Sequence, residues 1–268
     1  MLELVQKDPA SVGLDQTHWT TRDLARVAAE RQLVPAISKS LVSEWLQAAN
    51  LKPHRVQAWL TSKDPEFDKK AAVIADLYFD PPPCSAIISI DEKPGMQALE
   101  RRYATLPMRP GSPARVEFEY KRHGVIGLFG GFNIQTGEVL AKCTEQRRVA
   151  DFIEYLDLLA EKYPAGTVYC VLDNLNIHKH WQVENWRARH HGRFVFAFTP
   201  THSSWLNQVE CWFSILDRKC LRRGNFPSKS KLADDVLGFT DQWNAVHKHP
   251  FNWSEEAKWV RSCRAQPQ

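Results

Sequence analysis

The chain has 268 residues, of which 43% are hydrophobic, with Trp 10 and Phe 13 among them. That is enough apolar material for a sizeable core, and it excludes a disordered chain. The formal charge of +4 permits a polyanionic partner without demanding one. No apolar run approaches the roughly 18 residues of a membrane span. The six cysteines are scattered with no C-x-x-C pair, so they are expected to be reduced thiols of a cytoplasmic protein, not zinc ligands.

In chain order, TTRDLARVAAERQ (20–32) sets Leu24, Val27 and Ala28 at helical spacing behind a threonine able to cap the helix. SKSLVSEWLQAAN (38–50) repeats the pattern, with Ser38 as cap and Leu41, Val42, Trp45 and Leu46 on one face. Two short amphipathic helices with a tight connector predict a helix-turn-helix over residues 1–63. Its candidate DNA contacts are Lys39, Ser40 and Ser43 of the second helix, followed by Lys52, His54 and Arg55. Two helices that merely pack together would give the same pattern. Residues 64–84 predict a helical linker that ends at a triple-proline break, and residues 85–268 a second, larger domain.

Beyond the prolines the pattern turns strand-like. SAIISID (85–91) is an apolar run ending in an acid, and residues 123–143 are two strand-like runs around a turn at Gly137. Then come a helix over 149–163, the strand TVYCVLD (167–173), a further helix, the strand FVFAF (194–198), and a helix starting near Ser203 or Ser204. This order predicts an α/β domain, a mixed sheet covered by helices.

Two strands each ending in an aspartate, Asp91 and Asp173, would bring both carboxylates to one ion if the strands are neighbours, about 4.8 Å apart. Glu210 is the single acid in the aromatic run SWLNQVECWF. At roughly 100° per residue from Trp205, the stripe of Val209, Trp212 and Leu216 faces the sheet, and Glu210 falls just off its margin at about 140°. Three carboxylates with no nearby Cys or paired His suit magnesium or manganese over zinc. Two such ions about 3.5–4 Å apart would serve phosphoryl transfer. Strand-end aspartates that only cap turns are the plain alternative. Arg218, Lys219, Arg222 and Arg223 form a basic cluster suited to a DNA backbone or to a solvated face, and Lys121, Arg122 and His123 a weaker one.

The blocks SIDEKPGMQALER, KRHGVIGLFGGFNIQTGEV, VLDNLNIHKH, TPTHSSWLNQVECWF and RRGNF, spread over about 18–253, resemble DDE transposases of the bacterial insertion-sequence six-thirty family, related to the Tc and mariner elements. The resemblance implies an RNase H-like core with metal-binding Asp91, Asp173 and Glu210, the last two 37 residues apart. It also implies metal-activated cleavage at transposon ends, attack of the freed 3′-hydroxyl on a TA-containing target, and a homodimer on double-stranded DNA. Asn174 and His178 lie in the matching block, where either could orient a phosphate or ligand, and His178 could equally be a packed, hydrogen-bonded histidine. Glu92 points to the strand face opposite Asp91, as a surface group or a support behind the ligands. Trp205 and Asn207 are expected to be structural, one packing the helix and the other fixing the loop that enters it. Family members commonly carry two helix-turn-helix units, so with one legible here a shortened amino end is expected. A catalytically silent DNA-binding descendant and a metal-dependent nuclease without transposition are the alternatives to an active transposase.

Overall fold

The computed structural model describes residues 2–53 and 64–252, which fall into two compact units, Met1–Leu60 and Thr61–Gln268. The first unit is helical: α1 (Leu2–Val5), α2 (Thr21–Glu30) and α3 (Lys39–Ala48). Both expected caps form, the Thr20 hydroxyl accepting from Asp23 N–H and the Ser38 hydroxyl from Leu41 N–H. Leu24, Val27 and Ala28 of α2 close on Val42 and Leu46 of α3, with Leu4 and Trp19 completing the cluster.

Two expectations for this unit need correction. Leu41 and Trp45 are 39% and 38% exposed, because α3 offers its neighbour only the narrow i, i+4 stripe of Val42 and Leu46. The connector, residues 31–38, is longer than the roughly 3–4 residues of a helix-turn-helix turn. Gln32 in the left-handed region (φ 56) ends α2, and Pro35 delays the next helix until Ser38 can cap it.

In the second unit, α4 (Phe67–Phe79) is followed by β1 (Ser85–Arg101), β2 (Tyr120–Asn133), β3 (Val139–Thr144), α5 (Val149–Lys162), β4 (Thr167–Leu172), α6 (Trp181–Arg189), β5 (Phe194–Phe198), α7 (Val209–Leu216) and α8 (Lys229–Gln242). The strand order is β3-β2-β1-β4-β5. β1 is antiparallel to β2 and parallel to β4, so the connectivity changes side at β1, where the crossover through α5 delivers β4 to its free edge.

Alternation along the strands feeds two cores. Ile87, Leu128, Phe132, Val171 and Ala197 pack with α4, α7 and α8. Ile88, Ile90, Phe129, Cys170 and Leu172 pack with α5 and α6. Both faces of the sheet are therefore covered. The expected linker helix α4 is one wall of this unit, since Ala71, Ile74, Ala75 and Leu77 lie in the first of these cores. The expected hairpin is present, with Gly137 at φ 75 in its turn. Among the described residues no helix is long and apolar enough to cross a membrane, and the described cysteines are free.

Candidate active site

β1 does not end at Asp91. It runs on to Arg101 because β2 pairs with it from Ile88 onward, across two register shifts, and Asp91 sits mid-strand opposite Gly130. β4 does end at Leu172, with Asp173 next. The parallel register pairs Ser89 with Val171, and carrying it two residues on sets Asp91 beside Asp173. The two strands are neighbours, as the two-aspartate geometry requires.

α7 supplies the third carboxylate. Val209, Trp212, Phe213 and Leu216 are buried, and Glu210, in the first turn, is exposed beside them. The helix begins at Val209, later than Ser203 or Ser204. Residues 204–206 form a 3₁₀ turn and Asn207 is extended (φ −93, ψ 101). Trp205 therefore lies outside the helical count that gave it a core position, and it is 55% exposed. Helical phase survives within α7 only, where Glu210 is still off the apolar stripe.

What aims Asp91 is a buried polar lattice. Asn207 donates from Nδ2 to Asp91 Oδ2 at 3.0 Å and to the Ile90 carbonyl at 2.8 Å. The Ser89 hydroxyl donates to Asn207 Oδ1 and accepts from Val209 N–H at 3.0 Å, tying β1 to the start of α7. Glu92 N–H donates to Asp91 Oδ1 at 2.8 Å. Ser89 was not anticipated as a functional residue, although the period of two that places Ser89, Asp91 and Lys93 on one strand face was available. α7 can approach this closely because β2 carries a glycine there: a Cβ on Gly130 would lie 2.7 Å from Phe213 Cε1.

The electrostatics mark a cluster of crowded anions. Burial, reinforced by the carboxylates of Glu210, Glu92 and Asp173, pushes Asp91 up to about 7 against the lowering pull of its bond from Glu92 N–H. Glu210 is also raised, by burial and by Asp173, with Lys93 pulling the other way. Asp173 is lowered: burial works against it, but the bonds from His178 and Leu175 N–H prevail. Asp91 senses Glu210 and Asp173, and Glu210 senses Asp173, so the three carboxylates are near neighbours. Such a set of carboxylate oxygens fits a hard divalent cation, which would relieve their mutual repulsion.

Glu92 faces away from Asp91, as period two requires, but it is not at the surface. It is 6% exposed because α5 and α6 cover that face. Its Oε1 lies 2.8 Å from Nε2 of buried His178, whose Nδ1 lies 3.1 Å from Asp173 Oδ1. Glu92, Asp173 and His178 offer ligand atoms within 4.8 Å of one another. The two carboxylates meet different ring nitrogens, so His178 bridges them. His178 is buried and hydrogen-bonded through both ring nitrogens. Asn174 holds the loop, its Nδ2 donating to the Thr199 carbonyl and its Oδ1 accepting from Lys179 Nζ at 2.8 Å.

Of the basic candidates, Arg218 lines a concavity of about 410 Å³ together with Glu210, Lys93, Phe213, Ser214 and Asp217. Lys219, Arg222 and Arg223 are exposed just beyond it. Lys39, Ser40, Ser43 and Lys52 are exposed on the first unit, and His54 and Arg55 lie outside the described residues. His123 is occupied by Glu100 at 2.7 Å.

Residues 86–233, more than half the chain and spanning all three carboxylates, match the DDE superfamily endonuclease family. The chain belongs to the DDE superfamily endonucleases. No curated protein sequence matches it. Among solved structures, the endonuclease is similar to a pre-cleavage Mos1 transpososome, at 18% identity and TM-score 0.57 over 92% of this chain and 74% of that one. It is similar also to the Mos1 strand transfer complex, at 17% identity and TM-score 0.58 over 92% and 73%. The mariner Mos1 paired end complex with Mg gives 18% identity and TM-score 0.58 over 97% and 78%. At these identities the likeness is one of fold: the endonuclease has the mixed α/β architecture of these proteins.

Proposed function

We infer that this endonuclease is a transposase of the insertion-sequence six-thirty kind, which cleaves DNA at transposon ends and joins the freed 3′-hydroxyl to target DNA. What supports the reading is that β1 and β4, which bear Asp91 and Asp173, are parallel neighbours in a DDE-family domain, with the carboxylate of Glu210 on α7 close enough to act on Asp91. Magnesium or manganese ions held by these residues, two in number, would activate the attacking hydroxyl and stabilise the leaving oxygen of a phosphodiester. The chain's own work is positional. Asn207 and the Glu92 amide fix both oxygens of Asp91, and Ser89 anchors the first turn of α7, which bears Glu210. Lys93 and Arg218, lining the concavity beside Glu210, present cations to a phosphate backbone.

The first unit serves as the DNA-holding part, with Lys39, Ser40, Ser43 and Lys52 on its exposed side, and His54 and Arg55 following in sequence. Two ends must be held together for transposition, so the active form is a homodimer on double-stranded DNA. Labelled DNA carrying the element's own ends, incubated with the full chain and magnesium, should be nicked and then joined. Asp173→Asn should bind the same DNA and leave it intact. Nicking without joined product would favour the plain nuclease; equal binding with no nicking by either protein would favour the silent descendant.

A further inference from the structure

Building on Asp173 as a metal-binding carboxylate, we propose that Glu92, acting through His178, is the positioning residue that fixes which oxygen of Asp173 faces the cluster. The side chains of Glu92 and His178 are 1% and 0% exposed. Glu92 Oε1 meets His178 Nε2 at 2.8 Å, and His178 Nδ1 meets Asp173 Oδ1 at 3.1 Å and the Asp173 carbonyl at 3.2 Å. Both ring nitrogens face acceptors. Asp173 Oδ1 takes a second donor, Leu175 N–H at 3.0 Å. Both contacts fall on Oδ1, which on this proposal leaves Oδ2 for the cluster. The ring itself is held by Phe152, whose centroid is 4.6 Å away.

Packing does not explain the glutamate. Its neighbours on that strand face, Ile88 and Ile90, are apolar and fully buried, and its own Oε2 is buried with no hydrogen-bond partner among the described residues. A buried carboxylate half satisfied in an apolar layer is costly, and an aliphatic side chain would fill the place more favourably. What the glutamate provides is an anionic acceptor that fixes the imidazole in one orientation, in the way that partners behind metal-binding residues commonly do.

The test is Mn²⁺ affinity of the full chain at neutral pH, followed by the paramagnetic resonance of free Mn²⁺, alongside thermal unfolding in EDTA. Glu92→Ala is expected to weaken Mn²⁺ binding by about tenfold or more. Glu92→Gln, which keeps an acceptor but loses its charge, should weaken it by roughly threefold. If Glu92→Ala does not fold, the isosteric Glu92→Gln decides alone. Affinity within about twofold of wild type in every folded variant overturns the proposal, whatever the unfolding temperatures, because a filler residue would shift only those. Asp173→Asn separates the two levels. If it loses Mn²⁺ while the Glu92 variants do not, the positioning role falls and the metal site stands; if it binds like wild type, both fall.

Discussion

The two units hold their candidate functional groups in opposite ways. In the sheet unit Asp91 is desolvated and gripped by hydrogen bonds at both oxygens, and burial with neighbouring anions pushes it up to about 7. In the helical unit Lys39, Ser40, Ser43 and Lys52 stand exposed on α3 and just after it. Buried groups are committed to one geometry and exposed ones only contribute charge. The first kind suits chemistry and the second suits holding a backbone of phosphates.

The sharpest way to break this contrast is to neutralise one of the acids of the sheet unit. Asp173→Asn or Glu210→Gln should lower DNA cleavage by about a thousandfold or more, roughly 4 kcal/mol of barrier, with DNA affinity in a gel-shift assay unchanged. Comparable loss of affinity would mean that these acids are not confined to the chemical step.

Asn207→Ala removes the donor to Asp91 and Ile90 and the acceptor of Ser89. We expect a destabilisation of about 1–3 kcal/mol, read by urea unfolding, together with a cleavage loss smaller than that of Asp173→Asn. Full activity in the folded variant would show that Asp91 needs no aiming.

Asp91→Asn should raise the unfolding temperature of the metal-free protein at pH 8 by a few degrees. The sign follows from its folded value, about 7, against 3.8 for an ordinary aspartate. Below about pH 4 the acid is protonated in both states and costs nothing; its burden grows as pH rises from about 4 to 7 and stays constant above. Thermal scans in EDTA at pH 4 and pH 8 should therefore show the benefit at the higher pH alone. Equal shifts at both would assign it to something other than charge.

The smallest effect belongs to the helical unit. Lys52→Ala should weaken DNA binding by a few-fold and reduce the slope of log affinity against log salt by about 1, with the cleavage rate at saturating DNA unmoved. A salt slope identical to wild type would remove Lys52 from the interface.

Local rules were enough for much of this molecule. Thr20 and Ser38 cap their helices because a hydroxyl one residue before an amphipathic run has nearby N–H groups to satisfy. The order of strands and helices, the hairpin at Gly137 and the three acids were legible for the same reason: period, turn chemistry and residue type are properties of a short stretch of chain.

The failures share a cause as well. Trp205 was placed on a helix stripe by counting through Asn207, where the backbone is extended, and nothing within ten residues says that the count must stop there. The opposite orientations of Asp91 and Glu92 follow from strand geometry alone. That Glu92 is buried depends on α5 and α6 lying over that face, elements drawn from 149–189. Likewise Ser89 and Asn207 are 118 residues apart, and Gly130 matters only because Phe213 arrives above it. The sequence by itself determined which carboxylates could act and which way each strand residue points, since these are set by bonds and dihedrals. Only tertiary structure decided which faces are dry and which polar groups meet across the chain, since both depend on segments far apart in sequence.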